Sequence, residues 1–88
     1  PDVFLLEQNY PNPFNPSTKI KFSIPKSSFV LLTVYDINGS EVSQLVAQQM
    51  SPGSYIVDWN AAALSSGIYF YVLESGSFKE TKKMILLK

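Results

Sequence analysis

Residues 64–73 constrain the fold of this chain more than any other stretch, because they form its longest apolar, aromatic-rich run. Serines and a glycine stand at the start of the run, and a glutamate, a serine and a glycine close it, so its length is that of one strand. β-branched and aromatic side chains fit a pleated sheet better than a helix. Alternation along a strand gives two apolar faces, with Tyr69, Tyr71 and Leu73 on one and Ile68, Phe70 and Val72 on the other. The sequence therefore predicts a central strand that is covered on both sides.

The entry to this strand resembles a tyrosine corner. Gly67 stands two residues before Tyr69, a spacing like that found in immunoglobulin-type sandwiches, where a phenol hydrogen-bonds to backbone upstream. We predict that Tyr69 makes such a bond.

Six more segments have the composition and period of strands. They are residues 3–8, 18–24, 29–36, 41–46, 54–59 and 78–87. The strongest turn signal is Asn38-Gly39, because these residues tolerate the positive φ angles of a tight hairpin. Residues 47–53 are predicted as a loop, and residues 60–63 as one helical turn.

Seven short strands with turn signals between them are typical of a β-sandwich. We therefore predict an all-β fold, namely a seven-stranded antiparallel sandwich of the immunoglobulin-like or fibronectin type. The predicted core residues are Phe22, Leu32, Val34, Trp59, Tyr69 and Tyr71.

Residues 9–17 contain three prolines among asparagines. Proline lacks the backbone donor and pushes the residue before it toward extended geometry, which excludes a helix and a central strand. We expect an extended or turned segment on an edge of the sandwich, where it hinders edge-to-edge pairing. Tyr10 and Phe14 are expected to pin this segment to the core.

Composition excludes several classes of function. The chain has 88 residues, the size of one domain, and a formal net charge of zero with no arginine, which argues against nucleic-acid binding. It has no cysteine and no histidine, so disulfides, thiol chemistry, a Ser-His-Asp triad and the preferred ligands of transition metals are all missing. No apolar run approaches the length of a membrane span.

The remaining kinds of site have weak signals. Serine and lysine are both plentiful, so a serine–lysine pair stays open, although nothing singles one out. Paired carboxylates need a cleft, and a sandwich this small leaves little room for one. Residues 36–39 resemble the start of a calcium loop, but the glycine comes too early and no glutamate follows at the required spacing. We predict no catalytic residue, no cofactor and no metal.

Aromatic side chains offer one alternative, because exposed rings stack on sugars. The candidates for a carbohydrate-binding face are Tyr35, Tyr55, Trp59 and Phe70. Each stands in period-two register with other apolar residues, so packing in the core is the favoured interpretation.

Four of the lysines crowd the end of the chain, at Lys79, Lys82, Lys83 and Lys88. One interpretation is that they protect an edge strand and keep the protein soluble. The other is that they form an electrostatic handle for a partner.

Four segments in this order resemble one known family. They are Asn9-Tyr10-Pro11-Asn12-Pro13-Phe14-Asn15-Pro16, then Val34-Tyr35-Asp36-Ile37-Asn38-Gly39 with Val42, then residues 64–70, and finally Lys82-Lys83-Met84-Ile85-Leu86-Leu87-Lys88. Together they resemble the C-terminal sorting domains of proteins exported by the type IX (Por) secretion system of Bacteroidetes-type bacteria. The resemblance runs from Leu6 to Lys88. Val72 departs from the pattern, since the family often carries a basic residue there.

The resemblance implies that residues 1–88 are one sorting domain at the end of a larger secreted protein, and that this domain is a signal and not an enzyme. The implied partners are the outer-membrane translocon, a sortase-like protease that cuts upstream of Pro1, and a parent catalytic or binding domain. The implied route is through the periplasm to the cell surface or beyond, with release or attachment to an anionic lipopolysaccharide.

The resemblance also assigns roles to residues. The terminal motif to be recognised is Lys82, Lys83, Met84, Ile85, Leu86, Leu87 and Lys88. The structural motif residues are Pro11, Asn12, Pro13, Asn15, Pro16, Asp36, Gly39, Gly67 and Tyr69.

The alternative function is an accessory module that binds polysaccharide or braces the catalytic domain of an extracellular glycoside hydrolase or protease.

Overall fold

The computed structural model describes all residues from Pro1 to Lys88 as two antiparallel sheets packed as a sandwich. The seven strands are β1 (Leu5–Leu6), β2 (Ser17–Ile24), β3 (Ser28–Tyr35), β4 (Glu41–Met50), β5 (Gly53–Asn60), β6 (Gly67–Ser75) and β7 (Phe78–Leu86). One sheet has the order β1-β2-β5 and the other the order β4-β3-β6-β7. The predicted seven-stranded, immunoglobulin-like sandwich is therefore confirmed. No helix is long and apolar enough to cross a membrane.

The core follows from period-two alternation on the inner faces of both sheets. In β2, for example, Ile20 and Phe22 are buried while Lys19 and Lys21 are exposed. Fifteen buried apolar residues form one cluster between the sheets, and all six predicted core residues belong to it. Burying one such side chain contributes roughly 1.5–3 kcal/mol, so this cluster supplies the main driving force for folding.

Strand β6 lies between β3 and β7, which confirms its predicted central position. Its inner face is buried, but no further layer lies over its outer face: Ile68 is 39% exposed and Phe70 is half-buried. Val72 is buried, and its register partners in the same sheet are Thr33 and Thr81. The expectation of cover on both sides is therefore wrong, since a chain of this size forms only two layers.

Three predicted boundaries are also wrong. Strand β4 continues to Met50, so the predicted loop 47–53 shrinks to two residues. β4 pairs only with β3 and forms an edge, where glutamines such as Gln48 and Gln49 stay in solvent at little cost. Strand β1 has two residues, not six. Residues 60–63 form no helix. Residues 61–64 instead form a single turn, in which the Leu64 N–H donates a hydrogen bond to the Ala61 C=O at 3.0 Å.

The hairpin between β3 and β4 forms at Asn38-Gly39, as predicted. Gly39 has a φ of 81°, in the left-handed region that favours glycine. The Asp36 carboxylate accepts hydrogen bonds from the N–H groups of Asn38 and Ser40, at 2.9 and 3.0 Å. Asp36 and Gly39 are thus residues that shape the turn.

We predict that Gly39→Ala destabilises the domain by about 1 kcal/mol, because a Cβ strains the left-handed backbone although it meets no neighbouring atom within 4 Å. Urea unfolding at 25 °C measures the change. The control is Ser40→Ala, whose exposed side chain should matter by less than about 0.5 kcal/mol. Equal losses in both variants would contradict this account of the turn.

Candidate functional site

The end of β7 meets the proline segment (residues 9–17) along one edge of the sandwich. The Phe14 N–H donates to the Ile85 C=O at 2.9 Å, and the Leu87 N–H donates to the Phe14 C=O at 3.0 Å. The Asn12 side-chain oxygen accepts the Ile85 N–H at 2.9 Å. The proline segment therefore satisfies outward-facing backbone groups of β7, and the prediction that it lies on an edge is confirmed.

The proline segment is anchored by one aromatic side chain and not by two. Phe14 is 2% exposed, and its ring centroid lies 5.8 Å from that of Trp59. Tyr10 is 80% exposed, so its predicted role as a second anchor is wrong. The backbone of Tyr10, and not its ring, holds the segment to β2: the Tyr10 N–H donates to the Lys19 C=O at 3.0 Å, and the Tyr10 C=O accepts from the Lys19 N–H at 2.9 Å. The proline segment thereby joins the two sheets.

A buried polar network at the start of the proline segment fixes its path. The Asn9 N–H donates to the Tyr71 hydroxyl at 2.8 Å, and this hydroxyl donates to the Glu7 C=O at 2.7 Å. The Asn9 amide nitrogen donates to the Thr18 hydroxyl and to the Pro11 C=O, at 3.0 and 3.1 Å. Sequence reasoning missed this role of Asn9, although a buried tyrosine signals that a partner for its hydroxyl must exist.

Burial raises the pKa of Tyr71 to about 12, the hydrogen bond from Asn9 opposes the rise, and the charge of Glu80 adds to it. The side chain is fully buried, so the neutral phenol is the form that the fold requires. An unfolded tyrosine ionises near pH 10, and the fold therefore loses stability as the pH rises above 10 toward 12.

The predicted recognition residues of β7 divide between the core and the surface. Met84 and Leu86 point inward and are fully buried. Ile85 is half-buried, and Leu87 is 55% exposed. The alternation of the strand therefore commits Met84 and Leu86 to packing and leaves Lys83, Ile85 and Leu87 on the outer side.

The three lysines of the motif have different surroundings. Lys82 forms an ion pair with Glu80 at 3.4 Å, and Lys83 is exposed with no ion pair. The Lys88 ammonium donates to the C=O groups of Ala62 and Leu64, at 2.5 and 2.9 Å. Lys88 thus ties the last residues of the chain to the turn before β6, while the Lys83 side chain extends into solvent.

The remaining motif residues shape turns and entries. Pro11, Asn12, Pro13 and Asn15 are exposed, and Pro16 is half-buried. The Tyr69 hydroxyl donates to the Ser65 C=O at 2.7 Å, which confirms the predicted tyrosine corner. Residues 36–38 of the hairpin turn and residues 66–69 at the entry to β6, which are distant in sequence, line one shallow groove of about 170 Å³.

The four aromatic candidates for a sugar platform do not share one face. Trp59 is 6% exposed and packs edge-on against Tyr69, and Tyr55 stacks on the core residue Phe22. Tyr35 and Phe70 are half-buried neighbours on the outer face of the other sheet. The favoured interpretation of Trp59 as a core residue is confirmed. The molecule contains no group of three or more acidic side chains close enough together to hold a metal ion.

Every strand except β1 lies within a match to a known family. The chain matches the family model described as "Secretion system C-terminal sorting domain" over residues 8–87. It belongs to this family. The sorting domain is thus a type IX secretion signal, of a family that is not catalytic, and it marks secreted proteins that reach the cell surface or the extracellular space. The search of curated proteins gave no match.

The matched range begins at Gln8, whose side-chain amide donates to the Lys83 C=O at 2.7 Å, and it ends at Leu87. It therefore contains both partners of the edge that joins the proline segment to β7. The first and last motifs of the sorting domain form one continuous surface.

We predict that Phe14→Ala costs roughly 3–5 kcal/mol, because it empties a buried aromatic site. Amide hydrogen exchange at Leu87 should also accelerate, since this N–H loses the ordered Phe14 C=O. Tyr10→Ala is the matched control and should change stability by less than about 0.5 kcal/mol. A similar loss in both variants would contradict the assignment of Phe14 as the single anchor.

We predict that Tyr71→Phe costs about 1–3 kcal/mol at pH 7, because the Asn9 N–H and the Glu7 C=O lose their partner. Between pH 10 and 12 the unmodified domain should lose about 2–3 kcal/mol more than the variant does, since the variant has no hydroxyl at residue 71 to ionise on unfolding. Urea unfolding across this pH range measures both. Parallel stability curves would refute the role given to the phenol.

Proposed function

We propose that this sorting domain is the C-terminal module of a larger exported bacterial protein, and that the type IX translocon recognises its folded surface. The observation that carries the proposal is the family match over residues 8–87, which spans the sandwich from the proline segment to the end of β7. Function then resides in side chains presented by a rigid fold and not in a reaction.

The recognised part is the displayed half of the terminal motif. Lys82, Lys83 and Leu87 contact the translocon, while Met84 and Leu86 hold the strand in place from within the core. The lysines keep a fixed spacing only while the core is intact, so the signal acts in the folded state. A fold without cysteine needs no disulfide, which suits folding in the periplasm before export.

A sortase-like protease then cuts the linker before Pro1. The passenger is released or joined to an anionic lipopolysaccharide, and it ends at the cell surface or in the medium. In this proposal the sorting domain acts as a removable signal, because residues 1–3 are exposed and a cut before them leaves the hydrogen bonds between the proline segment and β7 intact.

The proposal predicts that residues 1–88, fused behind a reporter with a signal peptide, carry the reporter across the outer membrane of a type IX-competent bacterium. Fractionation should find the reporter at the surface or in the medium. A reporter without the sorting domain is the control and should stay in the periplasm. Retention of the fused reporter in the periplasm would overturn the proposal.

Point variants test the displayed residues better than a truncation does, because deleting residues 82–88 also removes Met84 and Leu86 from the core. We predict that Lys82→Glu with Lys83→Glu lowers export about tenfold or more, as expected when a contact at the centre of an interface is reversed in charge. The control changes Lys21 and Lys26, which are exposed outside β7, to glutamate. Equal export by both pairs would argue against recognition through β7.

A further inference from the structure

The outer edge of β7 has a closed half and an open half. In a strand, the N–H and C=O of alternate residues point to the same side. The outward groups of Ile85 and Leu87 bond to the proline segment, and the Lys83 C=O accepts from Gln8. The N–H and C=O groups of Lys79 and Thr81 point to this same side, away from β6, and they form no hydrogen bond within the molecule.

Charge follows the same division. Lys79 and Lys83 stand on the outer face of the sheet, two residues to either side of Thr81. Their neighbours on β6 are Glu74 and Phe70, and neither lysine forms an ion pair. The open half thus presents unpaired backbone groups with a free positive charge at each end, in a chain whose net charge is zero.

We propose that the open edge (residues 79–83) accepts an extended segment of a partner protein as an added strand, with acidic side chains facing Lys79 and Lys83. The inference rests on the proposed function, because the partner then belongs to the export machinery. Side chains directly opposite on paired strands lie about 4.5–5.5 Å apart, so a carboxylate on the added strand reaches each lysine. The open edge is about 17 Å long, and Gln8 ends it.

A second copy of this chain is a poor occupant. Antiparallel pairing of two open edges around Thr81 sets Lys79 of one copy opposite Lys83 of the other, and like charges directly opposite are destabilising. The edge of β4 is a poorer site for an added strand, because its pairing with β3 carries two register shifts and its side chains include no lysine. The open edge of β7 therefore selects for an acidic partner.

The probe is a capped seven-residue peptide in which glutamate and threonine alternate, titrated into the ¹⁵N-labelled 88-residue chain. We expect saturable shifts of the amide resonances of Lys79, Thr81 and Lys83. A peptide with lysine in place of glutamate should bind at least about tenfold more weakly. The absence of saturable shifts, equal binding of both peptides, or shifts confined to β4 would overturn the proposal.

Two variants separate the backbone from the charge. Thr81→Pro removes the outward N–H, which the ladder with β6 does not use, whereas Thr81→Val keeps it. We expect about a tenfold loss of peptide affinity for the proline variant and no change for the valine variant. The double variant Lys79→Glu, Lys83→Glu should show a similar loss of peptide affinity. If the proline variant does not fold, this double variant alone tests whether the peptide binds at the open edge. Lys21→Glu with Lys26→Glu controls for net charge.

The reporter assay separates this inference from the proposed function. If the unmodified sorting domain exports the reporter and the Lys79→Glu, Lys83→Glu variant exports it equally well, the added strand and the proposed contact of Lys83 are refuted, and the sorting function stands. If the unmodified domain fails to export, the proposed function fails, whatever the peptide does. Reduced export together with lost peptide binding supports both.

Discussion

The hydrogen bonds between the proline segment and the end of β7 are the constraint on which the rest of this structure depends. A sheet edge leaves backbone N–H and C=O groups unpaired, and an unpaired edge invites association with other chains. Here Phe14 and Asn12 satisfy these groups at Ile85 and Leu87. The ring of Phe14 enters the core from the same segment. One short stretch thus closes the sandwich, joins its two sheets and positions the terminal strand.

The period of two that builds the core also limits what the terminal strand can present. Met84 and Leu86 are committed to packing, so only the other side chains of the terminal motif stay accessible to solvent. The proposed recognition of this motif depends on an intact fold, because an unfolded segment offers neither the spacing of its lysines nor an ordered edge. Under the proposed function, the secretion signal is a property of the folded sandwich and not of a linear tail.

Much of the fold was predictable because its causes are local. The alternation in β2, the Asn38-Gly39 turn and the Gly67–Tyr69 corner each depend on residues that are close in sequence. Errors arose where distant contacts decide the outcome. Tyr10 and Phe14 look equivalent in the sequence, but only Phe14 faces the gap beside Trp59. The outer face of β6 is apolar by pattern, yet whether another layer covers it depends on the number of layers that the chain can form.

The order of apolar and turn residues was enough to predict an antiparallel sandwich and its core, because periodicity and turn chemistry act over a few residues. The family was indicated separately, by the resemblance of four motifs to known sorting domains. Tertiary structure alone decided which half of β7 is closed and which is open. It also decided that Tyr71 accepts the buried N–H of Asn9, a residue 62 positions away. Contacts of this separation arise from the docking of the two sheets, and no local pattern encodes their geometry.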